Sequence, residues 1–192
     1  MADQYDVLAI GNAIVDVLAS HPDSFLEEKG IPKGSMRLIS ADEASALYAS
    51  MGPGREISGG SAANTSAGIA ALGGRAAFVG RVSDDQLGRV FAHDIRAAGV
   101  DYRTPAATSG PPTGQCLIIV SPDGQRTMNT FLGSCQEVDE PDVDEGVVKA
   151  SAITYFEGYL WDPPAPIRAI RKAKAIARAA DRKVALTLSD VF

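Results

Sequence analysis

Short apolar runs closed by glycine or proline alternate along this chain with longer segments whose apolar positions recur every three or four residues. The first pattern suits buried strands and the second suits amphipathic helices. Residues 7–10 predict a strand that stops at Gly11, and residues 14–19 resume as a second one. A short helix is expected over 22–29, broken by Gly30 and Pro32, followed by a strand at 35–39 and a helix at 42–51. The Gly52-Pro53-Gly54 turn leads into a brief extended segment at 55–58. Gly59-Gly60 then introduces a helix over 61–72, which Gly73-Gly74 ends. Residues 76–79 predict a buried strand, and over 84–98 Leu87, Val90, Phe91, Ile95 and Ala98 share one helical face. Segments 117–120 and 125–131 flank Pro122-Asp123-Gly124, a hairpin signal. A strand at 153–156, a long helix from Pro163-Pro164 to Ala180 and a strand at 184–188 complete the pattern.

Strands alternating with helices favour an α/β fold, a largely parallel sheet with helices on both faces. The hairpin and the early short strands do not fit that core. They suggest an additional small β lid, with its strands within 14–40 and 113–132, covering an edge or a cleft. The whole of 1–192 then reads as one α/β domain. In open α/β sheets ligands sit beyond the carboxyl ends of the strands. Here Ser189-Asp190-Val191-Phe192 follows the last strand where such a loop should begin, so the sequence reads as the N-terminal portion of a larger fold whose C-terminal part is missing.

Composition narrows the field. The 192 residues are 45% apolar and 22% charged, ordinary for a globular protein, with a formal net charge of -6. That balance argues against a general nucleic-acid binder. Apolar stretches are too short for a membrane span, and the acidic start at Asp3 and Asp6 lacks the form of a signal peptide, so the expected compartment is the cytoplasm. Cys116 and Cys135 form no C-x-x-C pair and predict core residues. His21 and His93 lie far apart, and no metal site is expected.

Two features could carry chemistry. With a strand period of two, Ile14, Asp16 and Leu18 point the same way, so a carboxylate interrupts an apolar face. A charge so placed needs an arginine, backbone amides or a ligand. Gly59-Gly60-Ser61-Ala62-Ala63-Asn64 is the second. Its glycines let backbone approach a ligand, and Asn64 in the first helical turn would be held near that approach; the plainer reading is a loop-to-helix junction capped by Ser61.

Taken together, Gly11-Asn12-Ala13-Ile14-Val15-Asp16, Gly59-Gly60 with Asn64, Leu72-Gly73 and the block from Gly80-Arg81-Val82-Ser83-Asp84-Asp85 to Gly88 resemble the opening motifs of the ribokinase (PfkB) kinases, in order and spacing. Thr113-Gly114 and Pro122-Asp123-Gly124 match the family's middle, so the resemblance covers essentially the entire chain. Asn12 with Asp16, Cys116, Phe156-Glu157-Gly158-Tyr159 and Leu188-Ser189-Asp190-Val191-Phe192 look most like adenosine-kinase-type members. The resemblance implies a ribokinase-like fold and transfer of the ATP γ-phosphate, with Mg2+, to a primary hydroxyl of a nucleoside such as adenosine, or of a sugar such as ribose or fructose. It implies that Asp16 binds vicinal sugar hydroxyls, with Asn12, Gly59, Gly60 and Asn64 completing the site. Gly60 would leave room for the sugar ring.

Met36, Leu38, Cys116, Glu157, Tyr159 and Phe192 are candidates for the rest of the pocket, against the blander readings of core packing or, for Glu157, a surface salt bridge. Asp84 and Asp85 are expected to cap a helix, and Arg168, Arg171, Lys172, Lys174 and Arg178 to form a solvated face. The family's general base belongs to a later D-T-x-G-A-G-D segment that does not occur here. No catalytic residue is therefore expected in this chain, which alone should be inactive. Expected partners are a nucleoside or sugar and ATP, with no nucleic acid or membrane, and a homodimer through the lid. Competing classes are a non-catalytic nucleoside- or sugar-binding module and a structural domain that kept the fold.

Overall fold

The computed structural model describes residues 4–189. Five strands, β1 (Tyr5–Ile10), β5 (Ala76–Val79), β6 (Asp101–Tyr102), β9 (Ser151–Glu157) and β10 (Lys183–Thr187), form an all-parallel sheet in the order β10-β9-β1-β5-β6. All-parallel sheets bury both faces, which is why β5 is apolar at every position and buried throughout. Ala9 and Phe78 pack on one face with Ala62 and Ala63 of α3 (Ser61–Ala71) and Phe91 and Ile95 of α4 (Gln86–Ala97). Leu8, Ile10, Ala77 and Val79 pack on the other with Val148 of α5 (Glu145–Lys149) and Ala169, Ala173 and Ala177 of α6 (Pro164–Ala179). Leu87, Val90, Phe91 and Ile95 of α4 do face the core, whereas Ala98 is an exposed C-cap outside that face.

The chain leaves β1 for β5 and β6 on one side, then returns to the opposite side of β1 for β9 and β10. The reversal makes a topological switch point between β1 and β9, the place where open α/β sheets bind ligands beyond the strands' carboxyl ends. This switch point lies beside the candidate site.

A second sheet stands beside it, in the order β3-β8-β7-β2-β4. Its strands are β2 (Ile14–Ser20), β3 (Met36–Leu38), β4 (Arg55–Gly59), β7 (Gly114–Val120) and β8 (Arg126–Phe131). The extended segment at 55–58, which the sequence placed in no sheet, is the antiparallel neighbour of β2. β7 is its parallel neighbour on the other side and turns back into β8 as the expected hairpin. Val15, Val17, Leu117 and Ile119 face α2 (Ala41–Ser50), which a Ser40–Glu43 capping box starts and which contributes Ala44 and Leu47. The opposite face carries Ile14, Cys116 and Ile118, flanked by Leu18, Val120 and Met128. The helix over Asp23–Glu28, α1, links β2 to β3. Among the described residues, no helix is long and apolar enough to cross a membrane.

Candidate functional site

The second sheet meets the carboxyl end of β1 at the Gly59-Gly60 junction, where Gly60 lies against the Asn12 carbonyl. Pairing across four strand boundaries sets Ile57, Asp16, Cys116, Thr130 and Leu38 in one row. Asp16 is half-buried in this row, and among the described residues neither an arginine nor a backbone amide holds its carboxylate. Burial pushes its pKa up to about 6, and the charge of Arg126 opposes that shift. A Cβ at Gly59 would overlap the Asp16 carboxyl group, so the carboxylate lies directly against this backbone.

Gly60 adopts φ 94°, and a Cβ there would overlap the Asn12 carbonyl. The room that the sequence reading reserved for a ligand is, on the side-chain direction, filled by protein. Gly60 is a requirement of the backbone. It is also the N-cap of α3, in place of Ser61. The Ser61 hydroxyl instead donates to Oε1 of Glu157, the last residue of β9.

Glu157 is only 1% exposed, so the surface salt-bridge reading is corrected. Its Oε2 has no hydrogen-bond partner among the described residues and lies near Gly11. Burial raises its pKa; the Ser61 hydroxyl opposes this, with weaker help from the Ala62 amide and Tyr155 hydroxyl, neither making a well-formed hydrogen bond. Asn12 is buried just after β1, and its Oδ1 likewise has no donor. Asn64 is exposed in the first turn of α3, its amide bonded to the Gly60 carbonyl at 2.8 Å. Asp16, Gly59, Gly60, Asn12, Ser61 and Glu157 thus form one contiguous path.

The other candidates sit around it. Cys116 is buried beside Asp16, its sulfur accepting the Thr130 hydroxyl at 3.3 Å, and burial pushes its thiol up to about 11. It is a wall and not a nucleophile. Met36 and Leu38 are exposed on β3 at the far edge of the same face, and Tyr159 is exposed in the turn after β9. Phe192 lies outside the described residues. Asp85 caps α4, while Asp84 pairs with Arg89 at 3.1 Å. The basic stripe on α6 is only partly free: Arg168 pairs with Asp139, and Lys172 donates to the Glu140 and Val143 carbonyls. Arg171, Lys174 and Arg178 are exposed.

Arg126 and Thr130 were missed by sequence reasoning. The hairpin register is the signal that finds them, since Arg126, Met128 and Thr130 pair with Val120, Ile118 and Cys116 and therefore share the Asp16 face. Of the acceptors on this path, the Asp16 carboxylate is partly open to solvent, whereas Asn12 Oδ1 and Glu157 Oε2 are buried atoms without a well-formed hydrogen bond among the described residues. A partly exposed carboxylate of this kind can accept hydrogen bonds from hydroxyl groups. No group of three or more His, Cys, Asp or Glu among the described residues could hold a metal ion.

Among solved structures, the chain is similar to the adenosine kinase of Sinorhizobium meliloti, at 59% identity and a TM-score of 0.88, over 97% of this chain and 57% of that one. It is also similar to a probable sugar kinase of Rhizobium etli, at 50% identity and a TM-score of 0.89, over 98% of this chain and 57% of that one. A curated relative is the 5-dehydro-2-deoxygluconokinase of Shouchella clausii, 28% identical over 96% of this chain and 51% of its own length. Another is fructokinase-1 of Oryza sativa subsp. japonica, 40% identical over 51% of this chain and 31% of its own. The chain thus spans about half or less of the length of these curated relatives. These likenesses share the α/β architecture of ribokinase-like adenosine kinases, and the family described as "pfkB family carbohydrate kinase" matches residues 40–192, which is most of the sequence; the chain belongs to that family.

Proposed function

We propose that the polypeptide carrying this chain transfers the γ-phosphate of ATP to a primary hydroxyl of a nucleoside, adenosine first, and that residues 1–192 supply the acceptor-binding side. The observation that carries this reading is the Asp16 carboxylate, half-buried on an otherwise apolar strand face and held by neither an arginine nor a backbone amide among the described residues. A carboxylate can accept two hydroxyl hydrogen bonds at once, which suits a ribose diol at Asp16. The apolar wall of Cys116, Met36 and Leu38 along the same face would lie against the base. Several fixed contacts orient one hydroxyl toward the donor, and such positioning supplies most of the acceleration in phosphoryl transfer. When bound, Mg2+ would neutralise charge on the ATP phosphates. The described residues do not fit a Mg2+ centre of their own.

The likeness to fructokinase and 5-dehydro-2-deoxygluconokinase keeps a second reading, a sugar kinase using the same acceptors. The test is phosphate transfer by the full-length polypeptide to adenosine, inosine, guanosine, ribose and fructose, each with Mg-ATP. The highest kcat/KM with adenosine is expected. Preference for a sugar would select the second reading, and binding without transfer would make the protein a binding module.

A further inference from the structure

Asp85 stands in the Gly80–Gly88 block, whose role the acceptor site leaves open. As the N-cap of α4 it needs one acceptor oxygen, and Oδ1 takes the Gly88 amide at 2.8 Å. Its carboxylate does more than that. Oδ1 also accepts the Thr113 hydroxyl at 2.7 Å, and Oδ2 accepts the Thr113 amide at 2.9 Å. Thr113 is 1% exposed and immediately precedes β7. Its hydroxyl oxygen accepts the Ser83 amide at 2.9 Å, and the Ser83 hydroxyl donates to the Pro111 carbonyl at 2.6 Å. On the returning side of the β7–β8 hairpin, the Ser134 amide donates to the Pro112 carbonyl at 2.9 Å. Both ends of the hairpin therefore converge on residues 111–113, where one carboxylate on the α/β body grips the chain.

β7 is the middle strand of the second sheet, paired with both β2 and β8. Thr113 lies three positions before Cys116, about 10 Å along an extended strand. Cys116 is the register partner of Asp16. Hydrogen bonds to a charged acceptor are stronger than neutral ones, and here they act on a buried residue at a strand junction. We propose that Asp85 is a positioning residue for the acceptor site, clamping the Thr113 amide and hydroxyl so that β7 carries Cys116 to a fixed place beside Asp16. The clamp follows from these contacts; its effect on substrate rests on the kinase reading above.

The test uses the full-length polypeptide and separates the clamp from the cap. Asp85→Asn can keep Oδ1 for Gly88 and the Thr113 hydroxyl, while its amide nitrogen faces the Thr113 N–H. Thr113→Val removes the hydroxyl contacts and keeps the amide. Asp144→Ala serves as control, because the Asp144 bonds to the Gly146 and Val147 amides stay within α5. Hydrogen exchange is read at the β7 and α4 amides, and acceptor KM is separated from kcat. Both test variants should speed exchange at the start of β7 and raise acceptor KM, by about tenfold for Asp85→Asn, as expected for one charged hydrogen bond. Exchange in α4 should stay unchanged. Equal loosening of α4, a shift confined to thermal stability, or the same rise in KM with Asp144→Ala would reduce Asp85 to a helix cap. If Asp85→Asn does not fold, Thr113→Val decides by the same readouts. Absence of turnover with every nucleoside and sugar would sink the kinase reading alone, because the exchange contrast still judges the clamp.

Discussion

Each sheet contributes one acid to the path around Gly59-Gly60, and they are held in opposite ways. In the parallel sheet, Glu157 stands at a strand end, almost fully buried, with one oxygen fixed by Ser61. In the mixed sheet, Asp16 stands in mid-strand, half-buried, with no hydrogen bond to its carboxylate among the described residues. Burial raises the pKa of both. The difference follows from architecture. A parallel sheet covered by helices on both faces can present polar groups only beyond its strand ends, whereas a sheet with one open face can present them along a strand. One acid comes from each arrangement, one tied by Ser61 and one without a hydrogen bond among the described residues.

The largest expected effect breaks the junction between the two sheets. Gly60→Val forces a β-branched residue to φ 94° and drives its Cβ into the Asn12 carbonyl, so stability should fall by about 3 kcal/mol. Urea denaturation checks this. A variant of normal stability with weakened acceptor affinity would show that Gly60 serves the ligand instead.

Next comes Asp16→Asn, which removes the charged acceptor. Acceptor kcat/KM in the full-length polypeptide should drop by about 1.5–3 kcal/mol, roughly ten- to a hundredfold. An unchanged value would take Asp16 out of the site. Its pH signature is equally specific. Unfolded Asp titrates near 3.8 and folded Asp16 near 6, so between these values the folded state holds the extra proton. Stability from this group is therefore lost as pH rises through that window and regained as pH falls. Melting temperature followed against pH should show this slope in the parent and lose it in Asp16→Asn. Arg126→Ala should raise the upper end of the window, because the Arg126 charge is what opposes the burial shift.

Glu157→Gln sharpens the contrast. It keeps an acceptor for the Ser61 hydroxyl and removes a buried charge, so its stability should stay within about 1 kcal/mol of the parent. A larger loss by calorimetry would show that the charge itself organises the α3 N-terminus. The smallest effect has the opposite sign. Gly68 lies within α3, and a methyl group added there would meet nothing within 4 Å, so Gly68→Ala should add about 0.5–1 kcal/mol in the same calorimetric comparison.

Most of the fold was legible because each element announces its period. The α4 stripe, the Pro122-Asp123-Gly124 hairpin and the uniformly apolar β5 are local signals. Asp16 was legible for the same reason, as one acid out of step with its strand. What was not legible depends on pairing between distant segments. β4 looked merely extended because its partner, β2, is far away in sequence. Ser61 looked like a cap because nothing nearby in sequence reveals Glu157, which claims its hydroxyl. Arg126 carries no local signal of its own, and only the hairpin register puts it on the Asp16 face.

The row that joins Asp16 to Cys116 also bears on folding fidelity. β2 must find β7 across a long stretch of chain, a slow and error-prone kind of pairing. A slip of one residue would turn every β2 side chain to the opposite face. Val15 and Val17 would then lose their packing against α2, and the Asp16 carboxylate would be driven into that core. Misregistered chains thus bury the Asp16 charge in the α2 core, which correctly paired chains do not, so the same acid also penalises a slipped register.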